Sequence, residues 1–224
     1  DLLNIPSITE PEATEQAISF TYNESKSFDA AISLGAENFI AYILNDKNHI
    51  ITVETGNKCA SGTGEFYLQQ IRRMNVSIEE ATKLAVDSEL HKVSGRCSVF
   101  CKSDCTHALN IGIPIGEICA GLSKMIADKA NDLLEKNKCH NILAIGGVAN
   151  NDVVVKYIKK KIENVEIPKN HDVFEALGAA YYALQNEIEY NPNQPLFKKK
   201  ESSFDFLPPI RNGEALVKFE TLEK

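Results

Sequence analysis

The sequence has no excess of positive charge, and this absence bears on the kinds of molecule that the protein can bind. Its 24 lysine and arginine residues are outnumbered by 31 aspartate and glutamate residues, which gives 224 residues a formal net charge of -7. A negative surface does not attract the phosphate backbone of nucleic acids, and the short basic run at 198–200 does not reverse that. The composition therefore argues against nucleic acid as a principal partner.

Long apolar runs and export signals are also lacking. Every apolar run is far shorter than the roughly 20 residues that cross a bilayer, and the first residues, D-L-L-N-I-P, lack the basic start and apolar centre of a signal peptide. We therefore predict a cytoplasmic protein with no membrane-spanning segment. Its six cysteines are then better explained by metal ligation, redox chemistry or burial than by a disulfide framework.

The motifs of the common hydrolases are absent as well. No G-x-S-x-G segment occurs, and no histidine is tied by sequence to Cys59. The paired acids Glu79 and Glu80 follow Ser77 at capping-box spacing, which indicates a helix start and not a catalytic carboxylate pair.

The apolar pattern predicts an α/β fold. A helix ending near Asn23 precedes a three-stranded meander, and strands then alternate with helices, which favours a mainly parallel second half of the sheet. The predicted strands are 29–34, 39–44, 49–55, 141–145 and 165–167. The predicted helices after the meander are 64–74, 77–86, a long one from Ile115, 152–162 and 174–184. We expect three regions: an N-terminal helix and connection at 1–26, a half-domain at 27–189 and an exposed Pro-containing, charged tail at 190–224.

Three glycine motifs follow strands or precede helices. They contain Gly35, then Gly62 with Gly64, and finally Gly146 with Gly147. Glycine lets backbone amide groups approach an anion, and a helix start favours negative charge. The alternative for each motif is a tight turn without a ligand.

A run of cysteines, R-C-S-V-F-C-K-S-D-C-T-H, places Cys97, Cys101 and Cys105 at x3 spacing with His107 close behind. On a helix this spacing puts the three thiols on one face, so a zinc site is one interpretation. Burial of Cys101 and Cys105 as small apolar residues is the alternative that we favour. Cys119 and Cys139 are predicted to be packing residues.

In chain order, the segments S-L-G-A-E-N, N-K-C-A-S-G-T-G-E-F, G-R-C-S-V-F, A-I-G-G-V-A-N-N and A-L-G-A-A resemble a known family. They are similar to the BadF/BadG/BcrA/BcrD-type ATPases, the activators of 2-hydroxyacyl-CoA dehydratases and benzoyl-CoA reductases of anaerobic metabolism. The resemblance covers about 27–184. It implies a ribonuclease-H-like domain of the actin/Hsp70/sugar-kinase ATPase superfamily.

The resemblance also implies a cofactor and partners. In that family a homodimer holds one [4Fe–4S] cluster, to which each subunit contributes two cysteines, and the matching positions here are Cys59 and Cys97. Nucleotide-driven movement of helices that point at the cluster then sends a low-potential electron into an acyl-CoA dehydratase or reductase.

Nucleotide contacts follow from the same motif match. Gly35 would lie in the second phosphate loop, Gly146 and Gly147 in the adenosine loop, and Gly178 near the final helix, with ATP or ADP and Mg²⁺ as ligands. Gly62 and Gly64 would shape the turn that presents Cys59.

The sequence departs from the family pattern in two places. The family's second phosphate loop reads D-I-G-G-Q-D, whereas this chain has S-L-G-A-E-N from Ser33, so Glu37 is the candidate to replace a lost magnesium-orienting acid. A first phosphate loop of the form G-x-D-x-G-S/T is missing from these residues. We therefore expect the second half of an activator module, which pairs with itself or with another module. The alternative is a degenerate nucleotide-binding or interaction module without cluster or ATPase activity.

Overall fold

The computed structural model of the chain describes residues 3–23, 25–56, 63–188, 191–197 and 212. The chain divides into two compact units, Ser7–Ile188 and a second composed of Asp1–Pro6 and Glu189–Lys224. In the second unit Leu3 pairs with Phe197 in an antiparallel bridge, and the Asn4 amide donates to the Leu196 carbonyl oxygen at 2.8 Å. The sheet and all the helices named below lie in the first unit.

The elements of the first unit follow the predicted order, with one helix, Ser98–Asn110, that was not among the predicted elements. The helices are α1 (Glu10–Tyr22), α2 (Gly64–Arg73), α3 (Ile78–Val86), α4 (Ser98–Asn110), α5 (Ile115–Glu135), α6 (Asp152–Ile158) and α7 (Phe174–Gln185). The strands are β1 (Ala30–Leu34), β2 (Phe39–Leu44), β3 (Ile50–Thr55), β4 (Asn141–Ile145) and β5 (Asn164–Glu166), and short 3₁₀ turns occupy Gly147–Asn150 and His171–Val173. The helix predicted over 152–162 is shorter than expected, because the chain turns after Ile158 to begin β5.

The five strands form one sheet in the order β3-β2-β1-β4-β5. The first three strands pair antiparallel, with Ile32 opposite Ala41, whereas β1 with β4 and β4 with β5 pair parallel, with Ile32 opposite Ala144. This arrangement confirms the predicted meander followed by parallel strands. Because β1 and β4 are adjacent and parallel, their carboxyl ends meet at the same edge of the sheet.

Helices cover both faces of the sheet. On one face Ala30, Ile32 and Leu34 of β1 join a large apolar core with residues of α2 to α6. On the other face Ala31 belongs to a smaller core with residues of α1 and α7, among them the fully buried Phe174. All of β1 is buried, which explains its continuous apolar run.

The helix ends show local features that were visible in the sequence. The capping box predicted at Ser77 is present: its hydroxyl accepts a hydrogen bond from the Glu80 amide, and the Glu80 carboxylate accepts one from the Ser77 amide, both at 3.1 Å. Within the described part of the chain, no helix combines the length and apolar character needed to span a membrane.

Candidate functional site

The three glycine motifs meet at the edge of the sheet where β1 and β4 end. The Gly64 amide, at the start of α2, donates to the Gly35 carbonyl oxygen at 3.1 Å, and the Glu65 amide donates to the Ala36 carbonyl oxygen at 2.9 Å. A Cβ atom on Gly64 would lie 2.8 Å from Cγ2 of Val148, in the loop after β4. The start of α2 therefore contacts both the loop after β1 and the loop after β4.

This junction leads to a stability prediction. Gly64→Ala would bring a methyl group 2.8 Å from Val148 and 3.1 Å from the Gly35 carbonyl oxygen. We expect the free energy of unfolding to fall by about 1 to 2 kcal/mol, because the two loops must move apart. Urea denaturation measures this loss. Gly56→Ala is the control, since no described atom lies within 4 Å of its Cβ position; equal midpoints for the two variants would contradict the prediction.

The backbone amides at this junction are used inside the chain. Besides the bonds of Gly64 and Glu65, the Gly35 amide donates to the Asn38 carbonyl oxygen at 3.1 Å, and the Phe66 amide donates to Oγ1 of Thr63 at 3.4 Å. At the start of α2 these bonds favour the alternative of a tight turn without a ligand. The assignment of Gly35 to a phosphate loop stays a prediction.

Gly146 and Gly147 differ in what the fold requires of them. Gly146 has a φ of +91°, its amide donates to the His171 carbonyl oxygen at 2.6 Å, and a Cβ there would lie 2.6 Å from the Leu34 carbonyl oxygen. At Gly147, by contrast, no described atom lies within 4 Å of the Cβ position. The described chain thus requires glycine at Gly146, whereas at Gly147 the missing side chain leaves room for a ligand to approach the backbone.

Gly178 lies where α7 crosses α1. A Cβ on Gly178 would lie 1.7 Å from the Ala13 carbonyl oxygen and 2.9 Å from the Ala17 amide nitrogen. The structure thus gives Gly178 a role in helix packing. Its assignment as a nucleotide contact stays a prediction.

A carboxylate that contacts the end of β1 was not predicted from the sequence. The side chain of Ser33 is 6% exposed and donates a hydrogen bond to Oε1 of Glu175, in the first turn of α7, at 2.9 Å. Glu37, the acid chosen from the sequence, is exposed on the loop after β1. No spacing rule connects Ser33 with Glu175, because 142 positions separate them.

Cys97 is placed at the start of a helix. It is the N-cap residue of α4, has extended backbone angles, and is partly exposed. No side chain caps α4 in the part of the chain that the structure describes. Cys59 and Gly62 lie outside the described residues.

A cleft of about 810 Å³ lies beside the segment that leads into α4. Its lining includes Arg96, which precedes Cys97, and both Gly56 and Thr63, the described residues that flank 57–62. Lys92 and Glu37 also contribute to its wall. The described residues next to both cysteine-containing motifs, Gly56, Thr63 and Arg96, therefore line the same cleft.

The remaining four cysteines are buried, with exposures of 0 to 3%. Burial raises the pKa of Cys119 to about 12 and that of Cys139 to about 11. The hydrogen bond with Cys105, together with burial, raises the pKa of Cys101. These findings confirm the interpretation of these four cysteines as packing residues.

The zinc alternative is wrong. Cys101 and Cys105 face the core, whereas His107 is exposed, because two residues after Cys105 the helix has turned by about 200°. Among the described residues, no group of three His, Cys, Asp or Glu side chains is arranged to hold a metal ion. Cys97, Cys101, Cys105 and His107 therefore do not form a common site.

Comparisons with known proteins agree with the motifs. The model of a family described as "BadF/BadG/BcrA/BcrD ATPase family" matches residues 7–183. The 2-hydroxyisocaproyl-CoA dehydratase activator of Clostridioides difficile is 25% identical over 185 residues, which cover 81% of this chain and 68% of that protein. The activator of lactoyl-CoA dehydratase of Anaerotignum propionicum is 29% identical over 157 residues, or 69% of this chain and 61% of the relative.

Two solved structures share the fold. The activator of the 2-hydroxyisocaproyl-CoA dehydratase from Clostridium difficile with bound ADPNP has a TM-score of 0.73 and 24% identity, and the match covers 82% of this chain and 71% of that one. Component A of the Acidaminococcus fermentans (R)-2-hydroxyglutaryl-CoA dehydratase has a TM-score of 0.71 and 22% identity, with coverages of 80% and 69%. They confirm the predicted fold class as a mixed α/β sheet with flanking helices.

Proposed function

Because the chain belongs to the BadF/BadG/BcrA/BcrD ATPase family, we propose that it is an activator module that couples ATP to low-potential electron transfer into an acyl-CoA dehydratase or reductase. The two relatives described above are named as activators of acyl-CoA dehydratases, and their matches cover 81% and 69% of this chain. A 2-hydroxyacyl-CoA dehydratase is the partner that these names favour.

The observation that carries the proposal is the position of Cys97. Of the five described cysteines, four are buried thiols, and Cys97 alone is partly exposed, at the uncapped start of a 13-residue helix. A helix start stabilises negative charge, and an iron-sulfur cluster held by thiolates is anionic. Cys97 therefore fits the ligand role that its motif predicts, and a [4Fe–4S] cluster bound there would supply one-electron transfer.

Cys59 is the second proposed ligand. It lies outside the described residues, in the segment between Gly56 and Thr63, and these two residues line the same cleft as Arg96, the neighbour of Cys97. Two thiolates do not complete the four ligands that such a cluster needs. The site therefore requires a second copy of the chain or another activator module.

The nucleotide would lie at the edge of the sheet formed by the loops of Gly35 and of Gly146 with Gly147. The open side of Gly147 leaves room for it, and the similar solved activator carries ADPNP. The start of α2 contacts both loops through Gly64. A movement of either loop would thus reach α2, which follows the Cys59 segment directly, and this gives the nucleotide a mechanical route to one cluster ligand.

Iron analysis after anaerobic reconstitution with iron and sulfide tests the proposal. We expect a brown protein with about four iron atoms per two chains. Cys97→Ala and Cys59→Ala should each reduce bound iron to background, whereas Cys139→Ala, which removes a buried thiol, should retain it. Equal iron in Cys97→Ala and the unchanged chain would refute the cluster assignment.

The alternative is a degenerate nucleotide-binding or interaction module without a cluster. Ser33 favours it, because the motif loses an acid there. Calorimetric titration of the reconstituted chain with ADP separates the two proposals. Bound iron supports the activator, nucleotide binding without iron supports a nucleotide-binding module, and neither supports an interaction module.

A further inference from the structure

The carboxylate of Glu175, in the first turn of α7, contacts the end of β1 at the edge of the sheet where we propose that the nucleotide binds. Ser33 is the last but one residue of β1, and its buried hydroxyl holds Oε1 of Glu175 at 2.9 Å. The same stretch of chain is tied to the glycine loop, because the His171 carbonyl oxygen accepts the Gly146 amide at 2.6 Å just before α7 begins. Glu175 therefore lies at the junction of the β1 end, the loop of Gly146 and Gly147, and the start of α7.

No cationic side chain among the described residues pairs with this carboxylate. Its one hydrogen bond there comes from Ser33, and it takes part in no ion pair, so Oε2 has no side-chain partner among those residues.

Glu37 does not have this geometry. Its side chain is exposed and lines the cleft against α5, on the face of the sheet that carries α2 to α6. Ser33 shares the opposite face with Ala31, beneath α1 and α7, because side chains alternate along a strand. Glu37 therefore lies on the other face of the sheet from the hydroxyl of Ser33.

From this geometry we propose that Glu175 supplies the carboxylate that holds nucleotide-bound Mg²⁺, and that Ser33 positions it; this rests on the nucleotide binding proposed above. Mg²⁺ in nucleotide sites keeps several waters and is held by one or two carboxylates together with the phosphates. The acid that the motif loses at Ser33 is thereby replaced from α7, not from Glu37. In this chain the strand provides the hydroxyl and the helix provides the carboxylate.

Calorimetric titration with ADP, in the presence of Mg²⁺ or of EDTA, tests this inference in the full chain. Mg²⁺ should strengthen ADP binding to the unchanged protein. Glu175→Gln should abolish that gain while leaving the Kd in EDTA unchanged, and Ser33→Ala should weaken the Mg²⁺-dependent part about 10- to 100-fold. Glu37→Gln, the matched control, should keep the full gain.

A double variant separates a ligand role from a folding role. Ser33→Asp combined with Glu175→Ser places the carboxylate on the strand and the hydroxyl on the helix. We expect this double variant to show the Mg²⁺-dependent gain in ADP binding. An unchanged circular dichroism spectrum is the folding check. Three results would overturn this inference alone. They are a Mg²⁺-dependent gain that persists in Glu175→Gln, a gain that is lost in Glu37→Gln, and an ADP Kd of the unchanged protein that is the same with and without Mg²⁺. Failure of the unchanged protein to bind ADP in either condition would overturn the proposed nucleotide binding together with it.

Discussion

Gly178→Ala is expected to lower the free energy of unfolding by about 3 kcal/mol. The new methyl group would lie 1.7 Å from the Ala13 carbonyl oxygen and 2.7 Å from its carbonyl carbon, and a backbone atom cannot rotate away as a side chain can. Alanine gains about 1 kcal/mol in helix propensity over glycine, but the clash exceeds this gain because α1 and α7 must separate along their crossing. That separation exposes the core around Phe174, which is fully buried.

Thermal denaturation measures this effect. A loss of about 3 kcal/mol corresponds to a fall in Tm of roughly 10 °C for a domain of this size. Gly147→Ala is the matched control, because it makes the same chemical change where no described atom lies within 4 Å of the new methyl group. We expect its Tm to stay within about 2 °C of the unchanged protein. Similar melting temperatures for Gly178→Ala and Gly147→Ala would show that α1 and α7 do not pack as described.

The sequence predicted the sheet well because burial on both sides leaves a clear signal. β2 and β4 begin and end at the predicted residues, since each is an apolar run bounded by turn residues. The last part of the helix predicted over 152–162 was wrong. The next three residues, Lys159, Lys160 and Lys161, have good helix propensity. They form a turn instead, because the chain must reverse direction there for β5 to pair parallel with β4.

The site was predictable only where a motif carries it. Helical spacing correctly placed Cys101 and Cys105 on one face of α4, but periodicity does not tell which neighbour that face meets, so the zinc alternative could not be dismissed from the sequence. Contacts between distant segments have no periodic signal at all. The approach of Gly64 to Val148 depends on how the parallel pairing of β1 and β4 brings together the loops that follow these strands. The hydrogen bond from Ser33 to Glu175 depends on how α7 packs against the face of the sheet that carries Ser33.

Gly121→Ala is the second change for which we expect a large effect, and it connects packing with the proposed cluster. A Cβ on Gly121, in α5, would lie 1.8 Å from the His91 carbonyl oxygen, and the His91 amide donates to the Glu117 carbonyl oxygen at 3.1 Å. The segment that leads to Cys97 thus packs against α5 at His91. The methyl group would push that segment outward, so we expect a loss of about 3 kcal/mol in the free energy of unfolding.

The same displacement should lower bound iron although both proposed ligands remain in the sequence. Cys97→Ala provides the contrast, since its partly exposed side chain makes a small contribution to packing, and we expect it to lose iron while its Tm stays within about 2 °C. Gly147→Ala should preserve both properties. Iron analysis and thermal denaturation of the three variants therefore distinguish a ligand from a residue that positions it. A Gly121→Ala protein that melts early but keeps its full iron content would mean that Cys97 reaches the cluster independently of the segment held by α5.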